Sequence, residues 1–236
     1  MTPILVTSAM EATWPPATVW RLGPWTLRDG RGGGKRVSAA TLSGSFSGTD
    51  ISLAEAAMRE MGQRPLFQLQ PEDHVLDLLL AECGYGIVDP VKIYAVDLDN
   101  KTVEAPPTMT TFPHWPPLGI AIDLWSEGGI DEARLAVMHR VIGIKAAVLA
   151  RINDRAAGVA FVAMHGSVAM LHALEVTPSL RRNGVSRHLL QAAIQWAKGH
   201  DAKILGLAVT TANKPARALY ASFGMQVVGQ YHYRQM

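Results

Sequence analysis

One pattern occurs twice in this chain, and it limits the available folds more than any other feature. The apolar run Leu66-Phe67-Gln68-Leu69, followed from Pro71 by a helical stretch ending at Gly84, returns as Leu205 to Ala208 followed by Ala212 to Gly224. A constant offset of 140 places Leu69 on Val209, Asp73 on Asn213, Leu79 on Leu219 and Gly84 on Gly224, and carries Leu53 to Met61 onto Ala193 to Asp201. The same order of strand, helix and glycine stop, met twice, predicts two related α/β halves. Between them, Lys101 to Pro117 holds Pro106, Pro107, Pro113, Pro116 and Pro117. Prolines at that density cannot continue a helix or a central strand. The predicted organisation is therefore a first half over residues 1–100, a linker over 101–117 and a second half over 118–236.

The second half reads clearly. Ile130 to Val141 has helical spacing, and Ala146 to Ile152 and Ala157 to Met164 read as strands joined by a turn at Asn153-Asp154. Val168 to Val176 is a third strand. Arg187 to Lys198 is a helix with Leu189, Leu190, Ala193, Ile194 and Ala197 on its buried face. Ile204 to Val209 is a buried strand, and Pro215 opens a helix that Gly224 stops. Gln226 to Val228 and Gln230 to Arg234 are expected to close the fold as strands. In the first half, Val37 to Leu42 is the counterpart of Leu171 to Val176, at an offset of 134.

The halves differ at the connection that follows this strand. In the second half it is Thr177-Pro178-Ser179-Leu180-Arg181-Arg182-Asn183-Gly184-Val185-Ser186. A strand that passes through a basic, glycine-bearing loop into a helix start aligns free backbone N–H groups beside a positive helix end, an arrangement suited to a diphosphate. The first-half connection, Ser43 to Asp50, is shorter and has no arginine.

Composition excludes some classes. At 48% hydrophobic and 18% charged, the chain has material for a packed core and is not disordered. A net charge of +2 gives no general attraction to nucleic acid. Cys83 is the single cysteine, so no internal disulfide forms, and no zinc-ligand spacing occurs; no metal is expected. The first ten residues have no basic flank or long apolar run, and no run approaches a membrane span, so the expectation is a cytoplasmic protein without membrane contact.

These residues resemble the GCN5-related N-acetyltransferase (GNAT) family. Its cofactor-loop signature, Gln/Arg-x-x-Gly-x-Gly/Ala, is matched by Arg181-x-x-Gly184-x-Ser186, with serine in place of the last small residue; Val176-x-Pro178 and Leu189-Leu190 also fit. A second segment, Asn-x-x-Ala-x-x-Leu-Tyr-x-x-x-Gly-Phe, is met by Asn213, Ala216, Leu219, Tyr220 and Gly224, with Met225 where phenylalanine is usual. The two together, in this order and separation, are specific, and they cover Leu118 to Met236. The first half, with Trp14-Pro15-Pro16 and Gly23 to Arg28, is similar to the degenerate first half of tandem members.

The resemblance implies a mixed, mostly antiparallel α/β (α+β) sheet flanked by helices, the acyl-CoA N-acyltransferase fold. It implies transfer of acetyl from acetyl-CoA, the co-substrate, to a primary amine by direct attack. Cofactor binding falls to the amides and side chains of Arg181, Arg182, Asn183, Gly184, Val185, Ser186 and Arg187, with Leu174 and Val176 pairing an extended pantetheine arm and Asn213 bonding it or capping its own helix. A main-chain N–H near Val176 would polarise the thioester. Tyr220 matches the general acid, with a half-buried core aromatic as its other reading. Glu175, on the strand face opposite Leu174 and Val176, is the base candidate or an exposed strand residue. Asp123 and Glu127, in the helical wall before the strands, are fallback candidates for the base or members of the substrate wall that select a cationic acceptor. A non-catalytic acyl-CoA sensor or scaffold is the alternative, and a homodimer stays open. The acceptor is a small molecule or a peptide amine.

Other features carry structural expectations. Arg28 to Arg36, basic and rich in glycine, reads as a mobile hairpin tip. Trp14-Pro15-Pro16 and Trp115-Pro116-Pro117 read as packing anchors, and Cys83 as a buried small apolar group. His172, His232 and the strand Tyr231 to Arg234 are near candidates for the active cleft.

Overall fold

The computed structural model describes residues 3–48, 50–99 and 101–236. Met1 and Thr2 at the start, Thr49 in the first-half connection and Asn100 at the predicted linker boundary lie outside the described residues.

The chain begins with α1 (Pro3–Ala12), where sequence periodicity assigns no element. It then forms β1 (Thr18–Leu22), β2 (Trp25–Asp29) and β3 (Thr41–Leu42), a small antiparallel sheet in that order. α2 (Asp50–Glu60), β4 (Leu66–Leu69), α3 (His74–Glu82) and β5 (Gly86–Asp97) follow. After the proline-rich segment come β6 (Thr111–His114), α4 (Gly119–Glu127), α5 (Glu132–Arg140), β7 (Lys145–Ile152), β8 (Arg155–His165) and β9 (Val168–Val176). The chain ends with α6 (Val185–Gly199), β10 (Ile204–Thr210), α7 (Lys214–Ser222) and β11 (Gln226–Gln235).

The main sheet has eight strands in the order β4-β11-β5-β10-β9-β8-β7-β6. Its pairings are antiparallel except β9 with β10. The fold is thus a mixed, mostly antiparallel α/β sheet flanked by helices. Strand alternation divides the core. Ala146, Val148 and Ala150 face Leu189, Ala193 and Ile194 of α6, while Ala147 and Leu149 face Trp125 of α4 and Val137 of α5. The β7–β8 turn has Asn153 and Asp154 at φ of 48° and 58°, the left-handed pair that a two-residue hairpin requires.

The repeated pattern has a geometric counterpart. α3 and α7 span His74–Glu82 and Lys214–Ser222, and β5 and β11 start at Gly86 and Gln226, all displaced by 140. The two β–α–β units interleave: β4 pairs with β11, β5 with β10, and β5 with β11. At the central seam Gly86 lies opposite Gln235 and Ala95 opposite Gln226, two pairs that exchange under the same displacement.

Several expectations are corrected. The strand over Val37 to Leu42 shrinks to Thr41–Leu42 plus one parallel bridge from Ala40 to Phe67. Lys35–Val37 is instead a 3-10 turn whose Lys35 carbonyl accepts from Ser38 N and Ala39 N at 3.1 and 2.9 Å, and Arg28 Nη1 donates to the Ala39 carbonyl at 3.1 Å, so the ladder groups of Ser38 and Ala39 are already taken. The stretch Arg28 to Arg36 leads into the connection of the antiparallel pair β2–β3, but it is not a mobile tip. Arg28 is buried, and a β-carbon at Gly33 would come within 2.5 Å of Val137, so the loop packs flush on α5. Part of the proline-rich segment is β6, with Pro113 opposite Val148 on the sheet's edge, where a missing N–H is tolerated. The two closing strands are one, β11, with register shifts after Val227 and Tyr231. Cys83 is exposed, because it is the C-cap residue of α3 and follows the last turn of the buried face set by Leu76 and Leu80. Trp14 and Trp115 do act as anchors, but both rings pack on Phe161 (6.2 and 5.6 Å between centroids).

Candidate functional site

The site begins with a fault in strand pairing. β9 and β10 run parallel from Val168 with Ile204 to Leu171 with Leu207, and then separate. On the other side of β9, Phe161 opposes His172 but Val159 opposes Glu175, so β9 holds one extra residue there. Ala173 takes it up at φ 49°, in the left-handed region. A bulge bends the strand and re-aims its side chains. The result is a slot between β9 and β10, flanked by α6 and α7.

One cavity, of about 630 Å³, lies at the outer end of this slot. Leu174, Val176, Arg181, Arg182, Gly184, Val185, Ser186, Arg187 and Asn213 all line it. The helix starts at Val185, two residues earlier than its apolar spacing predicts, because Gly184 adopts φ 82° and serves as N-cap. A β-carbon on Gly184 would meet only the His188 ring, at 3.8 Å, so glycine is required by backbone conformation and not by space. The amides of Val185, Ser186 and Arg187 precede the first bond of the helix, from His188 N to Gly184 O at 3.0 Å. Gly184 has no side chain to cap them. Open amides at a positive helix end, flanked by arginines, suit a diphosphate. Arg187 also lies over the Phe223 ring, 5.0 Å from its centroid, and Arg181 Nε donates to the Val176 carbonyl at 3.2 Å. Asn183 is the departure: its side chain does not line the cavity but donates to the carbonyls of Leu180 and Arg181, folding the loop on itself. Asn213 caps α7, its Oδ1 accepting from Ala216 N at 3.2 Å.

A second cavity, of about 400 Å³, lies on the other side. The two share four wall residues, Leu174, Glu175, Asn213 and Tyr220. Tyr220 is 7% exposed, and burial together with the nearby Glu175 carboxylate pushes its phenol up to about 12. Burial also raises Glu175, against the lowering influence of Arg181 and Arg134. Glu175 fits under the end of α4 because Gly128 stands there, where a β-carbon would come within 2.7 Å of its side chain. Asp123 and Glu127 need correction as wall residues. Both are exposed on α4 and line neither cavity, since the inward face of α4 carries Ala121, Leu124 and Trp125.

Sequence reading missed Arg36, which lies in the wall of the second cavity. Its basic, glycine-rich context has the composition of a solvated loop. His172, Tyr231 and Tyr233 line the same cavity, whereas His232 and Arg234 turn away to Asp77, at 2.8 and 2.7 Å. The His172 tautomer follows from its neighbours. Thr13 has one hydroxyl proton and gives it to the Ala9 carbonyl at 2.6 Å, so His172 Nε2, at 2.8 Å, must be the donor to Thr13. Nδ1 then holds the lone pair that faces Arg36 Nη1 at 3.4 Å. Burial, followed by the Arg36 charge, keeps His172 well below its usual range and therefore neutral.

Comparison with known proteins identifies the family of one stretch and the fold of the whole. Residues 120–225 match the acetyltransferase (GNAT) family. The fold is similar to that of a GCN5-related N-acetyltransferase from Kribbella flavida, at TM-score 0.72 and 16% identity, covering 100% of this chain and 95% of that one. It is similar to a functionally unknown conserved protein from Staphylococcus epidermidis (TM-score 0.68, 12% identity, 94% of each chain). It is also similar to a tandem GNAT protein from the clavulanic acid biosynthesis pathway (TM-score 0.63, 16% identity, 96% of this chain and 86% of that one). A search of curated proteins found no match.

Proposed function

Residues 120–225 form a domain of the acetyltransferase (GNAT) family, and from that premise we propose that the chain is an acetyl-CoA-dependent N-acetyltransferase acting on a primary amine by direct attack. The observation that carries the reading is the meeting of two cavities at Leu174, Glu175, Asn213 and Tyr220, with the open, basic helix start facing only one of them. That arrangement suits a nucleotide thioester on one side and an acceptor on the other.

In this reading the amides of Val185 to Arg187, with Arg182 and Arg187, hold the diphosphate. The freed edge of β9 from Leu174 to Val176 pairs the extended arm as an added strand. Acetyl-CoA, when bound, supplies a thioester whose C–S bond breaks as the C–N bond forms. Glu175 takes the proton released by the attacking amine, directly or through water, and its raised affinity for protons suits a base. Tyr220 stays protonated at neutral pH, as a donor to the departing sulfur must. Its ring is fixed by burial and by Tyr94, with centroids 5.9 Å apart.

The test is an acetyl-CoA turnover screen across amine classes, following free thiol. Tyr220→Phe is expected to lower kcat by about 10²-fold or more while CoA affinity stays within about twofold. Unchanged turnover in this variant would remove Tyr220 from the mechanism. Absence of amine-dependent thiol release in the wild type, with CoA still bound, would favour a binding module instead.

A further inference from the structure

We propose that the second cavity selects an acceptor that carries a carboxylate, bound by the Arg36 guanidinium at the end of the cavity away from Glu175 and Tyr220; this rests on the acetyltransferase reading above. Cations in the wall are otherwise accounted for. Lys35 is paired with Asp89 at 2.7 Å, and Arg134 faces Glu175. Arg36 has no carboxylate partner among the described residues. Its Nε is shut off from solvent and makes no hydrogen bond. Its neighbours are a neutral histidine, His172, and two buried phenols, Tyr231 and Tyr233, which hydrogen-bond the guanidinium but carry no charge to neutralise it. A guanidinium withdrawn from water with no anion is costly, and a planar carboxylate is its natural complement.

The placement also bears on acceptor length. Arg36 contacts His172, and the base candidate Glu175 is three residues further along β9. The bulge sets those three steps against two on β8, from Phe161 to Val159, so at a rise of roughly 3.4 Å per residue the two backbone positions lie about 7 Å apart. That suits an amine and a carboxylate at opposite ends of a short chain, as in an ω-amino acid or a dipeptide, better than an α-amino acid acetylated at its own α-amine. A cavity of about 400 Å³ holds molecules of that size.

The experiment compares ω-amino carboxylates of increasing length with n-alkylamines and aminoalkyl phosphates of matched length. Wild-type protein is expected to give KM values about 10–100-fold lower for the amino carboxylates than for the alkylamines. Arg36→Gln is expected to erase that difference by raising only the carboxylate KM, and Arg36→Lys to restore part of it. Equal KM values for carboxylates and alkylamines in the wild type would overturn the proposal, as would an equal loss on both in Arg36→Gln, or a preference for phosphate. Should Arg36→Gln not fold by circular dichroism, Tyr231→Phe tests the same pocket, with a smaller rise expected for carboxylates alone and no such rise counting against it. A calorimetric titration with glutarate needs no turnover. Binding by wild type and loss in Arg36→Gln supports the site even where every amine fails as acceptor, a result that would remove the acetyltransferase reading alone. No glutarate binding by the wild type overturns the site itself.

Discussion

At the scale of single residues, the proposed mechanism makes Glu175 the group that sets how the site responds to pH. Burial raises its carboxyl, and Arg181 and Arg134 pull the other way, with burial the larger influence. A base works only when ionised, so a raised value moves the loss of activity on acidification to a higher pH than an ordinary carboxylate would show. Wild type is expected to lose kcat/KM through that limb, and Glu175→Gln to lose the limb together with about 10²-fold in kcat. In the proposed reaction the acceptor amine must itself be neutral, so the comparison that matters is wild type over variant, in which the amine's titration cancels. Tyr220, pushed up to about 12, adds no falling limb across neutral pH. A wild-type/variant ratio that stays flat with pH would assign the base to another group. Arg36 and His172 make the same point about environment. One is a charge held in a wall and the other a histidine held neutral, and neither state is readable from the residue's name.

At the scale of elements, the contrast between two helix starts is the clearest. α6 opens on Gly184, whose left-handed backbone leaves amides uncapped, while at the start of α2 the Asp50 carboxylate accepts from Ser47 N and Oγ, at 2.6 and 3.0 Å. A negative side chain already bound there opposes an incoming phosphate, so one CoA per chain is expected by equilibrium titration. Gly184→Ala should cost about 1–2 kcal/mol of stability through the strained backbone and weaken CoA binding about tenfold. Two equal sites, or binding unaffected by Gly184→Ala, would count against the assignment. Much of this site was legible in sequence because Gly184, Pro215 and Gly224 punctuate it, and such residues act locally. What was not legible depends on distant partners. The Ala39 carbonyl is taken by the Arg28 guanidinium, the Gly33 loop docks on Val137, and the exposed placement of Asp123 and Glu127 depends on which face of α4 meets the sheet. Periodicity finds that a helix has two faces; only packing tells which way the whole helix turns.

At the scale of the molecule, the 140-residue displacement has a consequence its local pattern does not carry. A duplication, which we take the 140-residue displacement to reflect, would ordinarily give two sheets. Here the units interleave, so among the described residues β11 pairs only with β4 and β5, both from the first hundred residues, and β10 has β5 along one edge. The same early residues supply Arg36 to the second cavity and Tyr94 to the Tyr220 ring. Residues 118–236 expressed alone would leave β11 without a ladder partner and expose the edge of β10, along with apolar groups such as Tyr231, Tyr233 and Leu205 that are now buried. Unpaired edges and exposed apolar faces favour aggregation over folding. The expected outcome is that this fragment shows no sharp thermal transition by circular dichroism and no CoA binding, while coexpression with residues 1–117 recovers both. A fragment that melts cooperatively and binds CoA by itself would show that the second half closes its own sheet, and would reduce the first half to an accessory. Failure of both fragments to associate, despite each being soluble, would instead place the interleaving late in folding, dependent on the covalent link through the proline-rich segment.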